Sequence, residues 1–164
     1  MRVVGLGGCT SYCDILSWPT TDDLGRMPPS FVAVVGVHPK HFKKGRNPLT
    51  SDSLELLAAL LRHPRVVGLG EIGLDFSVGW DHWAAQMEGF HSLLRLVGDD
   101  QVVVIHCRSE DADCPTMAPH WHLWKWLTLH CLGREGQGQI AMGFRQRLVL
   151  HSYAGDFYTP LQTH

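Results

Sequence analysis

Five short runs of consecutive apolar residues punctuate the chain, at positions 2–7, 31–36, 65–70, 101–105 and 147–150. Runs of this length that do not alternate with polar residues are buried on both faces, the habit of parallel strands covered by helices. The stretches between them change period. From Asp52 onward, Leu54, Leu57 and Leu61, with Leu56 and Leu60 beside them, recur at the three-and-four spacing of a helix. Ser51 or Asp52 is the expected N-cap, and Pro64 closes the helix. Trp83, Met87, Phe90, Leu94 and Val97 form a second helical stripe that stops at Gly98. Residues 18–30, with Pro19, Gly25, Pro28 and Pro29, read as a loop. The segment 107–146 is less regular and predicts one aromatic-rich helix over about 119–132.

Strand starts near 2, 31, 65, 101 and 147 are separated by about one strand-plus-helix unit, roughly 30 residues in a barrel of eight such units. Right-handed crossovers lay such strands side by side in sequence order. The pattern therefore predicts an α/β fold, an incomplete TIM-barrel-like (β/α) parallel arrangement with about five of the eight units.

With 164 residues, one domain with a real core is expected. A formal charge of −2 removes any global attraction to nucleic acid or anionic lipid but leaves room for a local positive cleft. Five cysteines without a CxxC pair, and no positively charged start leading into an apolar run, fit a reducing intracellular setting, cytoplasmic or nuclear. No stretch approaches the roughly 20 apolar residues that span a bilayer, so no membrane association is expected. The unusual count is 11 histidines, which makes their placement the question.

In parallel α/β folds the chemistry sits at the C-terminal ends of the strands. After the second run stands Val37-His38-Pro39, and after the third stands Glu71, within Gly70-Glu71-Ile72-Gly73-Leu74-Asp75. After the fourth comes His106-Cys107-Arg108, and after the fifth His151-Ser152-Tyr153-Ala154-Gly155. Imidazole and carboxylate together suit zinc, manganese or magnesium, and a glutamate such as Glu71 can bridge two ions about 3.5 to 4 Å apart. A single histidine after a strand is more often an ordinary loop residue, and His38 alone would be read so. Glu71, His106 and His151 at the same point of three successive strands instead point to metal binding.

These four motifs, in this order and spacing, resemble the signatures of TatD-type deoxyribonucleases, and Gln86 and Phe90 fall on the same family's helix pattern. The resemblance covers residues 1 to about 157, with 158–164 left as a divergent C-terminal tail. It implies a TIM barrel, divalent metal ions (Mg, Mn or Zn) and hydrolysis of DNA phosphodiesters, from the 3′ end of single strands. It also implies roles: Glu71 as bridging ligand and catalytic residue, His106 and His151 as further metal ligands, Arg108 as a catalytic phosphate contact, and His38 and Asp75 as residues lining the site. No His-x-His pair precedes Val3 and no Glu-Thr-Asp motif is reached before His164, so an internal fragment of such a barrel is expected, holding at most one ion loosely. Position 93 is Leu where the family usually has a second glutamine. Two alternatives follow: an inactive truncated or spliced form acting as a binding module, and an amidohydrolase-type metal hydrolase, against which the Gly-Glu-Ile-Gly-Leu-Asp wording argues.

Other features carry less. His120-Trp121-His122 has ligand spacing only on a strand, because positions two apart on a helix point about 200° from each other. Trp121, Trp124 and Trp126 with Leu123 and Leu127 are expected to pack rather than stack bases. Lys40, His41, Lys43, Lys44 and Arg46 form the one basic cluster, either phosphate contacts or an ordinary solvated loop. Cys107 is expected to be a small buried side chain rather than a nucleophile.

Overall fold

The computed structural model describes residues 7–109, 118–134 and 147–151. Five strands, β1 (Gly8–Tyr12), β2 (Phe31–Val35), β3 (Val66–Asp75), β4 (Val102–Arg108) and β5 (Arg147–His151), form one sheet in sequence order. Every neighbouring pair is parallel. Between them run the helices α1 (Thr21–Arg26), α2 (Ser51–Leu61), α3 (Trp83–Leu94) and α4 (Ala118–Arg134). This is the α/β arrangement that the spacing of the apolar runs predicts.

The differences from the sequence reading lie in boundaries. The first described strand is Gly8–Tyr12, which the apolar runs do not predict as a strand, while the apolar run at 2–7 lies, apart from Gly7, outside the described residues. Its sequence, GCTSY, alternates between half-buried and exposed positions, so its signal is a weak period of two rather than a continuous apolar run. Residues 18–30 are not all loop, because Thr20 and Asp23 form a reciprocal capping box that starts α1. The N-cap of α2 is Thr50, which makes the same kind of exchange with Ser53, and not Ser51 or Asp52. Finally, β3 does not stop before Glu71 but continues to Asp75.

That extension shapes the C-terminal rim. Leu69 pairs with Val103 and Ile72 with Ile105, so β3 spends three steps where β4 spends two. The extra residue falls at Gly70 and Glu71, and an irregularity of this kind re-aims the side chains that follow. At Gly70 a Cβ would lie 2.5 Å from the Cβ of Val104. Gly73 has φ +144°, which L side chains rarely adopt, and a Cβ there would lie 2.0 Å from the His106 carbonyl oxygen. Glycine at these two places is what lets β3 and β4 approach around His106.

The core is the set of inward faces of this sheet and its helices: Ala33, Val35 and Val37 from the β2 segment, Leu57 and Leu60 from α2, Leu69, Ile72 and Leu74 from β3, Phe90 and Leu93 from α3, Val103 and Ile105 from β4, and Leu123 and Leu127 from α4. One polar residue sits among them. Gln86 of α3 is fully buried, receives the Asp75 N–H on Oε1 at 2.8 Å and donates from Nε2 to the Asp75 carbonyl at 2.9 Å. The amide thus pins the end of β3 to α3 while satisfying both polar groups of a buried backbone unit.

Gly73→Ala should lower stability in urea unfolding by at least about 2 kcal/mol, from backbone strain and the clash with His106. Gly25→Ala, in a helix with nothing within 4 Å of the added Cβ, should be neutral or stabilising. Equal effects at the two positions would sink the close-approach argument.

Candidate metal centre

The segment after β2 is fixed by its neighbours before any chemistry enters. The Gly36 N–H donates to the Tyr12 carbonyl at 3.0 Å and the His38 N–H to the Cys13 carbonyl at 2.9 Å, extending the parallel ladder beyond β1. Trp18 Nε1 donates to the Gly36 carbonyl at 2.8 Å. His38 then caps a single 3-10 turn, Pro39–His41, accepting the Lys40 N–H on Nδ1 at 3.2 Å. Its ring lies 4.4 Å, centroid to centroid, from that of His106. Burial, helped by the neighbouring His106, pulls its pKa down to about 4, so at neutral pH His38 is an uncharged imidazole.

His106 lies between two carboxylates. Asp75 Oδ2 is 3.2 Å from its Nε2, and Glu71 Oε2 is 3.5 Å from its Nδ1. His151, in register with His106 on β5, places its own Nδ1 2.9 Å from the same Glu71 oxygen. The structure thus brings Glu71, His106 and His151 together, with ligand atoms within 4.8 Å of one another. His38, Asp75 and His106 form a second such group. Arg108 ends β4 two residues beyond His106, which strand alternation places on the same face, and it is exposed.

Asp75 is buried completely, and burial alone would raise its pKa. Hydrogen bonds from His106, from the Ser77 hydroxyl and from the Ser77 N–H, with the Lys40 ammonium 3.4 Å away, outweigh that cost and hold the carboxyl well below the usual range. An ionised carboxylate can only accept, so its contact with His106 requires the proton on Nε2. The other ring nitrogen is Nδ1. That atom is buried and has no hydrogen-bond partner, with the Glu71 oxygen too far for a good bond.

A buried ring nitrogen without a hydrogen-bond partner, facing a carboxylate and a second imidazole, fits a cation. Four ligands about 2.05 Å from a tetrahedral ion stand about 3.3 Å apart, and the contacts of 3.5 and 2.9 Å bracket that spacing. The Asp75–His106 bond is also of the kind that fixes the tautomer of a metal-binding histidine through its far nitrogen.

The weaker sequence features resolve differently. His120 and His122 both lie on α4, His120 buried and His122 edge-on to Phe76 at 6.3 Å, and neither belongs to a metal-sized group among the described residues. Leu123 and Leu127 are core, and Trp126 packs against it and against His91 at 4.5 Å. The side chain of Trp121 and residues 152–164, with the expected tail, lie outside the described residues. No described helix is long and apolar enough to cross a membrane. The sequence reading missed the Gln86 clamp and the Lys40–Asp75 ion pair. Gln86 was signalled by its position, three residues after Trp83 and four before Phe90, a polar residue on an apolar stripe. The Lys40 contact bridges 35 positions of sequence and had no local signal.

The family model for TatD related DNase matches residues 6–160. The chain belongs to the TatD-related DNase family. The 3′-5′ ssDNA/RNA exonuclease TatD of Citrobacter rodentium is 36% identical over 77 residues, which are 46% of this chain and 28% of that protein. The protein of the same description from Escherichia coli K12 is 32% identical over 99 residues, 60% of this chain and 36% of its own. The crystal structure of YJJV, a TatD homolog from Escherichia coli K12, matches with a TM-score of 0.65 at 24% identity, covering 92% of this chain and 50% of that one. This last likeness concerns the fold, a TIM-barrel-like one. The chain spans about half the length, or less, of the TatD proteins it matches.

Cys107, between His106 and Arg108, is buried, and burial with the nearby Asp75 charge pushes its thiol up to about 12. The folded state therefore favours the protonated thiol. The stability this contributes is present below the ordinary value of 9.0 and is lost as pH rises towards about 12. Peptide mapping after maleimide treatment at neutral pH should find the exposed Cys9 labelled and Cys107 protected until the chain is unfolded. Labelling of native Cys107 at the rate of Cys9 would contradict this.

Proposed function

We propose that this chain is a metal-dependent phosphodiester hydrolase acting on single-stranded DNA, shortening it from the 3′ end. In this reading Glu71, His106 and His151 hold a divalent ion and Arg108 contacts phosphate. The observation that carries it is the Nδ1 of His106, buried without a hydrogen-bond partner and turned towards Glu71 and His151 while Asp75 holds the opposite nitrogen. Membership of the TatD-related family supports a nuclease over an amidohydrolase, and the names of the matched relatives support single strands and the 3′ end.

When bound, the ion would lower the pKa of a water towards neutrality and offset charge on the phosphate oxygens. The protein's own groups do the rest. Asp75 keeps the His106 proton on Nε2, Glu71 supplies the negative charge that two imidazoles lack, and the Arg108 guanidinium matches two phosphate oxygens at once. Two imidazoles and one carboxylate suit zinc better than manganese or magnesium, which prefer oxygen.

A second reading, a module that binds one ion without turnover, is favoured by one specific feature. Both metal-sized groups use His106, so the described residues complete one such group at a time.

The test is incubation of 5′-labelled single-stranded DNA with the full chain and Mn²⁺, Zn²⁺ or Mg²⁺. Slow 3′ shortening that stops with chelator and with Glu71→Ala is expected. Metal binding that Glu71→Ala removes, with no shortening by the unaltered chain under any ion, would establish the second reading instead. Titration calorimetry of Asp75→Asn should show metal affinity reduced roughly 10- to 100-fold, the usual cost of losing a carboxylate that orients a ligating histidine. Unchanged affinity in a folded Asp75→Asn variant would remove the tautomer argument.

A further inference from the structure

Trp80 is 76% exposed, although of the other large aromatics of its segment Phe76 is in the core and Trp83 packs against it. Phe76 and Trp83 stack at 4.0 Å, and Trp83 Nε1 donates to the Val78 carbonyl at 3.1 Å. A single exposed tryptophan or a basic loop is unremarkable by itself. Here the two are built together. Trp80 opens a 3-10 turn, Trp80–His82, five residues beyond the end of β3, and His82 Nδ1 accepts the Lys44 N–H at 3.0 Å. The loop carrying Lys44 is closed on itself, with Lys43 N–H to the Arg46 carbonyl at 3.2 Å and Arg46 N–H to the Lys43 carbonyl at 2.9 Å around Gly45 at φ +71°. Lys43, Lys44 and Arg46 are all exposed. Across residues 43–46 and 80–82 the three cations outnumber the one acid, Asp81, leaving the patch positive.

Both segments follow adjacent parallel strands, β2 and β3, and so stand on the rim that carries the metal centre. Lys40, from the same basic segment, reaches Asp75 Oδ2. We propose that Trp80 and the cations Lys43, Lys44 and Arg46 form a binding subsite for single-stranded nucleic acid, the indole stacking on one base while the loop follows the phosphates. The inference rests on the nuclease reading and deepens it by placing the strand. An aromatic face beside fixed cations is the chemistry of single-strand binding, because a base must be unstacked from its neighbours before it can lie on an indole. It gives no preference for a particular base.

The test measures binding rather than hydrolysis. A fluorescein-labelled dT oligonucleotide is titrated with the full chain in chelator, by anisotropy, at several salt concentrations. Trp80→Ala should weaken binding roughly 5- to 100-fold, the range of base–aromatic stacking, and Trp80→Phe should recover most of it. The Lys43→Ala, Lys44→Ala, Arg46→Ala triple variant should flatten the plot of log affinity against log salt by about 0.7 in slope for each phosphate no longer neutralised. An oligonucleotide with abasic sites in place of bases should be insensitive to Trp80→Ala and still sensitive to the triple variant. A folded Trp80→Ala that binds dT as the unaltered chain does overturns the subsite, as does an unaltered chain that binds no oligonucleotide. If the unaltered chain shortens DNA in the presence of metal while Trp80→Ala binds normally, the subsite alone fails. If Trp80→Ala weakens binding and no ion supports shortening, the hydrolase reading alone fails.

Discussion

A carboxylate removed entirely from water costs several kcal/mol unless its oxygens are matched, and Asp75 is removed entirely. The matching comes from three places. Ser77 supplies two donors from the loop that follows, His106 supplies Nε2–H from β4, and Lys40 supplies charge from the segment after β2. Gln86 meanwhile holds the backbone of the same residue from α3. Three other pieces of chain, besides the adjoining loop, are therefore committed to one residue. Losing a partner would leave a buried charge short of compensation, which couples these pieces of the rim to one another.

That commitment also separates the two carboxylates flanking His106. Asp75 has its oxygens engaged by hydroxyl, amide, imidazole and ammonium, and has little lone-pair capacity left for an ion. Glu71 is partly exposed, with side-chain relative exposure of 17%, and its Oε2 faces two imidazole nitrogens. Of the two metal-sized groups, the one built on Glu71 therefore keeps more lone-pair capacity for a cation, while the carboxylate of Asp75 is engaged in holding His106. Like charges on opposite edges of one ring are tolerable because Asp75 is already offset by Lys40.

Much of this was legible in the sequence. Runs of Val, Ile and Leu revealed four of the five strands, and the rule that chemistry follows parallel strands selected Glu71, His106 and His151 from their positions alone. The first strand escaped because Gly8–Tyr12 alternates weakly and shows one face, whereas the preceding run was more apolar. The cap of α2 was displaced by a residue because Thr50, Ser51, Asp52 and Ser53 stand in a row, and only the side-chain bond tells which one caps. What no local pattern holds is the network around Asp75. Its partners are Lys40, Gln86 and His106, at separations of 35, 11 and 31 residues, and packing alone decides that they meet.

Sheet register and site geometry are consequently one constraint. His151 meets Glu71 only because β5 pairs with β4 so that His106 lies beside His151, and His106 meets Glu71 and Asp75 only because β3 takes an extra residue between Leu69 and Ile72. Slipping either pairing by one residue would turn alternate side chains to the opposite face and disperse Glu71, His106 and His151. Apolar packing by itself specifies such a register weakly where both faces are buried, since Val, Ile and Leu are acceptable on either side. Gly73 and Gly70 supply the missing specificity, because β3 can lie this close to His106 and Val104 only where it has no Cβ. The glycines of the Gly-Glu-Ile-Gly-Leu-Asp segment are thus part of the candidate site's architecture although they bring no side chain to it.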